Sequence, residues 1–163
     1  MEAIAPRYRI PRLKTARIRS RHGLFLLLGL VGIGTVAMGQ GKQIVVQAVD
    51  ARNGKPIANQ HMLVFGGDSP EAAKQHKSQY ELTTDKDGVA TLTLATGTEW
   101  LQVWMDWHVL CQSEPNSKSF PVRDILDSGL STPNTCSSAS EKAVPGHLVV
   151  FARPAHFWEK MRQ

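Results

Sequence analysis

The residues best suited to contact a ligand lie in one extended segment, Glu99–Cys111. Successive side chains of a strand point to opposite faces, so Trp100 and Trp104 share one face, and Asp106 and His108 continue it. Indole rings stack on the apolar face of a sugar ring, and nearby polar groups bind its hydroxyls. The segment therefore predicts a ligand-binding face made of Trp100, Trp104, Asp106 and His108.

The same alternation places the remaining side chains of this segment on the opposite face, toward a core. They are Leu101, Val103, Met105, Trp107 and Val109. Two outcomes stay open for Trp100 and Trp104. Either they are exposed as a platform, or a neighbouring loop covers them and they belong to the protein interior.

Other groups of polar residues match catalytic or metal sites only in part. Residues 65–69 contain Gly-Asp-Ser, as in the nucleophile block of one class of lipases, but no histidine follows an aspartate by three residues. Asp85–Gly88 begins like a calcium loop and lacks the glutamate that would close it. His108, His147 and His156 lack the spacing of zinc ligands. We expect no catalytic residue, no metal and no cofactor.

The two cysteines, Cys111 and Cys136, predict a disulfide if the chain is exported to an oxidising compartment. The segment 111–136 is rich in proline and serine. We expect it to supply little hydrophobic core, so that a covalent tether would stabilise it by about 3.5 kcal/mol.

The positive charge is confined to the beginning of the chain. The formal net charge is +5, but residues 1–39 hold seven Arg or Lys and one acid, which leaves 12 basic and 13 acidic residues beyond them. A nucleic-acid-binding body would need a basic stripe of its own, and this composition gives none. The sequence therefore excludes nucleic acid as a partner.

This basic head precedes an uncharged apolar run, residues 24–38, which ends in small residues. Ala37 and Gly39 occupy the −3 and −1 positions of a cut before Gln40. The layout is that of a secretory signal peptide, removed between Gly39 and Gln40. The alternative is an uncleaved membrane anchor through residues 24–38. Either form would place the body, 40–163, in the periplasm or at the cell surface.

The body alternates apolar and polar residues with period two between turn signals, which predicts an all-β sandwich. The predicted strands cover residues 43–50, 60–65, 78–84, 89–94 and 147–153. The segment 99–111 is predicted as one long strand or as two strands joined by a bulge. Short helices are predicted at 71–77 and 122–128, and a terminal helical turn at 155–161.

Two motifs carry a resemblance to a known family. Val45–Asn59 reads as a strand, an Asp and a Gly-Lys-Pro turn, and Thr83–Leu92 contains a Thr-Asp-x-x-Gly hairpin. Both are similar to carboxypeptidase regulatory-like domains, whose sandwich the collagen-adhesin B-type and transthyretin-like domains share. The match covers roughly residues 43–105. It implies an antiparallel, prealbumin-like Greek-key sandwich spanning 40–163 as one domain, with no catalytic role.

These observations leave two hypotheses of different classes. The first is an exported, non-catalytic module of the cell envelope that binds a glycan or an envelope protein through the tryptophan face. The second is a small envelope hydrolase that uses Asp106 and His108 with a serine from the segment 111–136. If residues 24–38 are retained, the protein would be a membrane-anchored accessory protein.

Overall fold

The computed structural model describes residues 41–113 and 118–161. They belong to one compact unit. The predicted cleavage between Gly39 and Gln40, and the apolar run 24–38, lie outside the described residues. The strands are β1 Gln43–Asp50, β2 His61–Gly67, β3 Ser78–Thr83, β4 Val89–Thr93, β5 Trp100–Met105, β6 His108–Leu110, β7 Phe120–Pro121, β8 Leu130–Ser131 and β9 His147–Pro154. The helices are α1 Pro70–Lys74, α2 Val122–Ser128 and α3 Phe157–Lys160.

The strands form two sheets, which confirms the predicted all-β sandwich. The first sheet has the order β4-β1-β9-β6, with β8 also paired to β9, and the second has the order β3-β2-β5-β7. Most pairs are antiparallel, but β1 and β8 each lie parallel to β9. A parallel pair needs a long connection, and almost the whole body separates β1 from β9. Alternation along single strands does not reveal this pairing.

The core lies between the sheets and is filled by the period-two apolar residues. The first sheet contributes alternate residues of β1 and β9, and the second contributes alternate residues of β2 and β5. The fully buried residues include Ile44, Val46, Ala48, Met62, Val64, Leu101, Val103, Met105, Leu148 and Val150. The alternation that predicted the strands therefore also identified the residues that face the core.

The predicted turn at Asp85–Gly88 is present, but the prediction that it closes a hairpin was wrong. The turn joins β3 of the second sheet to β4 of the first, where β3 pairs with β2 and β4 pairs with β1. The Asp85 carboxylate accepts the backbone N–H groups of Asp87 and Val89, and the Val89 bond is the main cause of a lowered Asp85 pKa. Gly88 has a φ of +73°, and a Cβ there would lie 2.7 Å from the carbonyl oxygen of Ala48. Only glycine fits this position without strain.

The segment 99–111 is not one strand. It forms β5 in the second sheet and β6 in the first, joined by a turn at Asp106 and Trp107. The chain crosses here from one sheet to the other, and Trp107 takes a φ of +59°. The strict alternation therefore ends at Met105.

The segment 111–136 contains more core than expected. It forms β7, α2 and β8, and Phe120, Val122 and Ile125 are fully buried in the main core. The expectation of a loop with little core was wrong, because its apolar residues are few but all point inward. Pro121 occupies the N-cap position of α2 without a side-chain capping bond, and Gly129 follows the helix with a φ of +75°.

The disulfide between Cys111 and Cys136 is confirmed, with a Cα–Cα distance of 5.5 Å. Cys111 belongs to a second apolar cluster with Val49, Val149 and Phe151, against which Ala143 packs. The disulfide thus holds the segment after β8 against the outer surface of the first sheet. Within the described residues, no helix combines the length and the apolar character needed to cross a bilayer.

Candidate functional site

A cleft of about 260 Å³ opens beside the turn that joins β5 to β6. Trp104, Asp106, Trp107 and Lys160 line it. Trp104 comes from β5, Asp106 and Trp107 from the turn, and Lys160 from α3. The end of β5, the turn after it and the distant helix α3 therefore meet at one place. We call this place the aromatic cleft.

Trp104 lies where the alternation of β5 predicts. Leu101, Val103 and Met105 are buried in the core, whereas Trp100 and Trp104 are half-buried on the outer face of the second sheet. Trp104 pairs with Leu63 of β2, which is also half-buried. One wall of the aromatic cleft is therefore held by the sheet itself.

Trp100 and Trp104 do not form one continuous platform. Gln102 lies between them and is only 4% exposed. The ring of His76 stacks on Phe65 with centroids 3.8 Å apart, and its Nε2 lies 3.2 Å from Oε1 of Gln102. The chain after α1 therefore covers the strip between the two tryptophans. Trp100 pairs with Gly67 and Pro121, away from the cleft-lining residues.

Asp106 is held by a hydrogen-bond network around the turn. Its Oδ2 lies 2.8 Å from Nδ1 of His61, and because a carboxylate only accepts, the imidazole donates. The Gln60 side chain donates to the backbone carbonyls of His61 and Asp106 at 2.7 and 2.8 Å. These bonds fix the carboxylate at the edge of the cleft.

His108 contacts the backbone of the turn and is not among the residues that line the cleft. Its Nδ1 lies 3.0 Å from the backbone carbonyl oxygen of Asp106, which accepts a hydrogen bond from it. The Asp106 carboxylate pairs with His61 instead. His61 was missed because it lies 45 positions away in the sequence, and only the β2–β5 register brings it opposite the turn.

Trp107 was placed on the core face, and this was wrong. It is 61% exposed and lines the cleft. The reason is the turn, since a positive φ after Met105 breaks the alternation on which the placement relied. A non-glycine residue in this conformation costs about 1–2 kcal/mol. Such strain is concentrated at functional sites. No glycine or proline marks this turn in the sequence.

The fourth residue of the cleft, Lys160, is positioned by an ion pair that joins β9 to α3. Arg153 binds Glu159 through two bonds of 2.7 and 2.8 Å. The guanidinium, together with the backbone N–H of His156, lowers the Glu159 pKa to about 2. The carboxylate thus stays charged and caps α3. Lys160 Nζ then lies 5.8 Å from the ring centroid of Trp107, a cation–π distance.

The aromatic cleft combines apolar and charged groups. Two indoles provide apolar surface, and a carboxylate and an ammonium provide an acceptor and a donor. Within residues 41–113 and 118–161, no group of three metal-ligating side chains occurs. In that same part of the chain, no serine, threonine or cysteine side chain hydrogen-bonds to His61.

No protein-family model matches the chain, and no curated protein is significantly similar to it.

Proposed function

We propose that the body 40–163 is an exported, non-catalytic β-sandwich module that binds a saccharide of the cell envelope in the aromatic cleft. One observation carries this proposal. Trp104 and Trp107 lie at the same cleft as a fixed carboxylate, Asp106, and an ammonium, Lys160. A pyranose ring presents an apolar face suited to an indole and hydroxyl groups suited to both charged side chains.

The size of the cleft supports a small ligand. Its volume of about 260 Å³ lies below the roughly 300–1,000 Å³ of pockets that hold drug-sized molecules. We therefore propose that one sugar ring of a longer glycan occupies it, with the neighbouring rings in solvent.

The affinity follows from the same residues. Each indole contributes on the order of 1 kcal/mol by stacking. Two rings alone give millimolar or weaker binding, since 1 mM corresponds to about 4 kcal/mol. Hydrogen bonds to Asp106 and Lys160 supply the remainder. A weak module of this kind suits a surface that repeats its sugars many times, where several contacts act together.

The compartment is supported by the disulfide. Disulfides persist in oxidising, extracytoplasmic environments, and Cys111 and Cys136 form one here. Together with the basic head and the apolar run 24–38, this supports export to the periplasm or the cell surface.

The resemblance to carboxypeptidase regulatory-like domains supports a non-catalytic role. The Gly54-Lys55-Pro56 turn follows β1, and the Asp85–Gly88 turn joins β3 to β4. We propose membership in that family on these motifs and the two-sheet fold.

The experiment compares three alanine variants of 40–163 against a panel of soluble mono- and disaccharides, with binding followed by ligand-observed NMR. Trp104→Ala and Trp107→Ala should each lose the saccharide signal. Trp158→Ala removes an exposed indole outside the cleft and should retain it. Retained binding in both cleft variants would refute the proposal.

The pairing of Asp106 with His61 favours a second candidate function, a small envelope hydrolase. A carboxylate that holds an imidazole by Nδ1 is the arrangement of a general base. This candidate predicts turnover of ester, peptide or glycoside substrates that His61→Ala abolishes. The binding module predicts none, so the two functions are separated by one set of assays.

A further inference from the structure

The C-terminal turn exposes its apolar side chains. Phe157, Trp158 and Met161 are 68%, 73% and 70% exposed. We call these three residues the tail patch. They are three of the five large hydrophobic side chains that are exposed in the described part of the chain, and the other two are Trp107 and Val144.

The tail patch belongs to an ordered segment, because hydrogen bonds hold the C-terminal turn in place. Glu159 binds Arg153 with two hydrogen bonds and also accepts the backbone N–H of His156. The backbone N–H of Ala155 donates to the carbonyl oxygen of Trp107 at 2.8 Å. The Glu159 carboxylate faces the protein, whereas the side chains of the tail patch face outward. An ordinary surface helix has the opposite arrangement, with its apolar face on the core.

The area of the tail patch limits what covers it. Taking about 200 Å² for each of these side chains, their exposed parts amount to roughly 400–500 Å². A stable protein–protein interface needs about 800 Å² from each partner. A second copy meeting this patch alone would therefore be held too weakly. A lipid surface needs no such minimum, because a few side chains enter the headgroup region individually.

The residue types of the tail patch also favour a lipid surface. Aromatic side chains are enriched at membrane–water interfaces, and an apolar face accompanied by lysine or arginine is typical of interfacial segments. Lys160 lies within the turn, and its ammonium contacts the ring of Trp107. Asp106, the acidic residue of the adjacent cleft, is paired with His61. The Lys160 ammonium is exposed on the turn and can contact a phosphate group when no saccharide occupies the cleft.

We propose that the tail patch docks the folded body on a bilayer surface that carries anionic phospholipid, with Phe157, Trp158 and Met161 in the interface. The three side chains of the tail patch do not line the aromatic cleft, so their contact with the bilayer does not require a bound saccharide. It gives the module a second contact with the envelope and holds the aromatic cleft next to the membrane surface.

The test uses 40–163, which contains both sheets, the shared core and the disulfide and lacks the apolar run 24–38. Co-sedimentation is measured with vesicles of phosphatidylcholine alone and of phosphatidylcholine with phosphatidylglycerol. The protein should bind the mixed vesicles more strongly, and added salt should weaken that binding. The double variant Phe157→Ser/Trp158→Ser should bind at least about tenfold less, since membrane affinity scales with the apolar area buried.

Val144→Ser is the matched control, because Val144 is also exposed, at 50%, but lies outside the tail patch. It should bind vesicles like the unmodified protein. All variants should keep their melting temperature, since the substituted side chains are exposed. No binding to either vesicle, equal binding to both, or unchanged binding in the double variant would overturn the proposal. A dimer in light scattering that the double variant abolishes would also overturn it, by showing a second copy as the occupant.

Discussion

The backbone at Trp107 offers a test of the geometry that builds the aromatic cleft. Trp107 has a φ of +59° and is 61% exposed. Trp107→Ala and Trp107→Gly both remove the indole and its partial packing, so the loss of side-chain contacts is common to the two. They differ in backbone preference, because only glycine adopts this conformation without a Cβ penalty.

The difference in stability between the two variants therefore measures the backbone strain at position 107. The left-handed conformation costs a non-glycine residue about 1–2 kcal/mol. Glycine loses about 0.5–1 kcal/mol through its more flexible unfolded state. We expect Trp107→Gly to be more stable than Trp107→Ala by about 0.5–1 kcal/mol, which corresponds to roughly 2–4 °C in melting temperature for a body of this size.

Differential scanning calorimetry on both variants of 40–163 measures this difference. The disulfide is kept intact in each sample, because its loss would mask an effect of this size. If Trp107→Ala were as stable as Trp107→Gly, the turn would not hold Trp107 at positive φ. The position of its indole at the cleft would then be wrong.

Three further predictions concern the rest of the fold. Cys111→Ser/Cys136→Ser should lower the free energy of unfolding by about 3 kcal/mol in urea titrations, and an unchanged midpoint would contradict a structural role for the bond. Phe120→Ala should cost about 3–5 kcal/mol because Phe120 is 1% exposed in the core, whereas Trp158→Ala should stay within about 0.5 kcal/mol; similar losses in both would contradict the packing of β7. Glu159 has its pKa lowered from 4.5 to about 2, so its ion pair stabilises the fold fully above about pH 4.5 and loses that effect as the pH falls toward 2. The stability difference from Glu159→Gln should shrink over that range, and a difference independent of pH would contradict the pairing with Arg153.

Much of the fold was predictable because the alternation of apolar residues reflects burial directly. β1, β4 and β9 each place alternate residues in the main core, and the turn at Asp85–Gly88 has the residues that it requires. The disulfide followed from an even number of cysteines and from the export that the sequence predicts. The parallel pairing of β1 with β9 was not predictable, since nothing local to either strand specifies its neighbour.

The candidate site was predicted in part. Trp104 and Asp106 line the cleft, whereas Trp100 and His108 are not among its lining residues. The crossing between sheets at Trp107 depends on tertiary structure, and tryptophan is not a residue that marks a turn. Lys160 reaches the cleft only because Arg153 and Glu159 hold α3 against the end of β9. Such convergence of distant segments leaves no periodic signal in the sequence.

The most direct test of the binding function uses the indole N–H signals of the four tryptophans in ¹H–¹⁵N NMR spectra of 40–163. Saccharide fragments released from the cell envelope are titrated to millimolar concentration. The cleft predicts that the signals of Trp104 and Trp107 shift together with one dissociation constant, while those of Trp100 and Trp158 stay in place. Shifts confined to Trp100 or Trp158, or no shift at any of the four indoles, would contradict binding in the aromatic cleft.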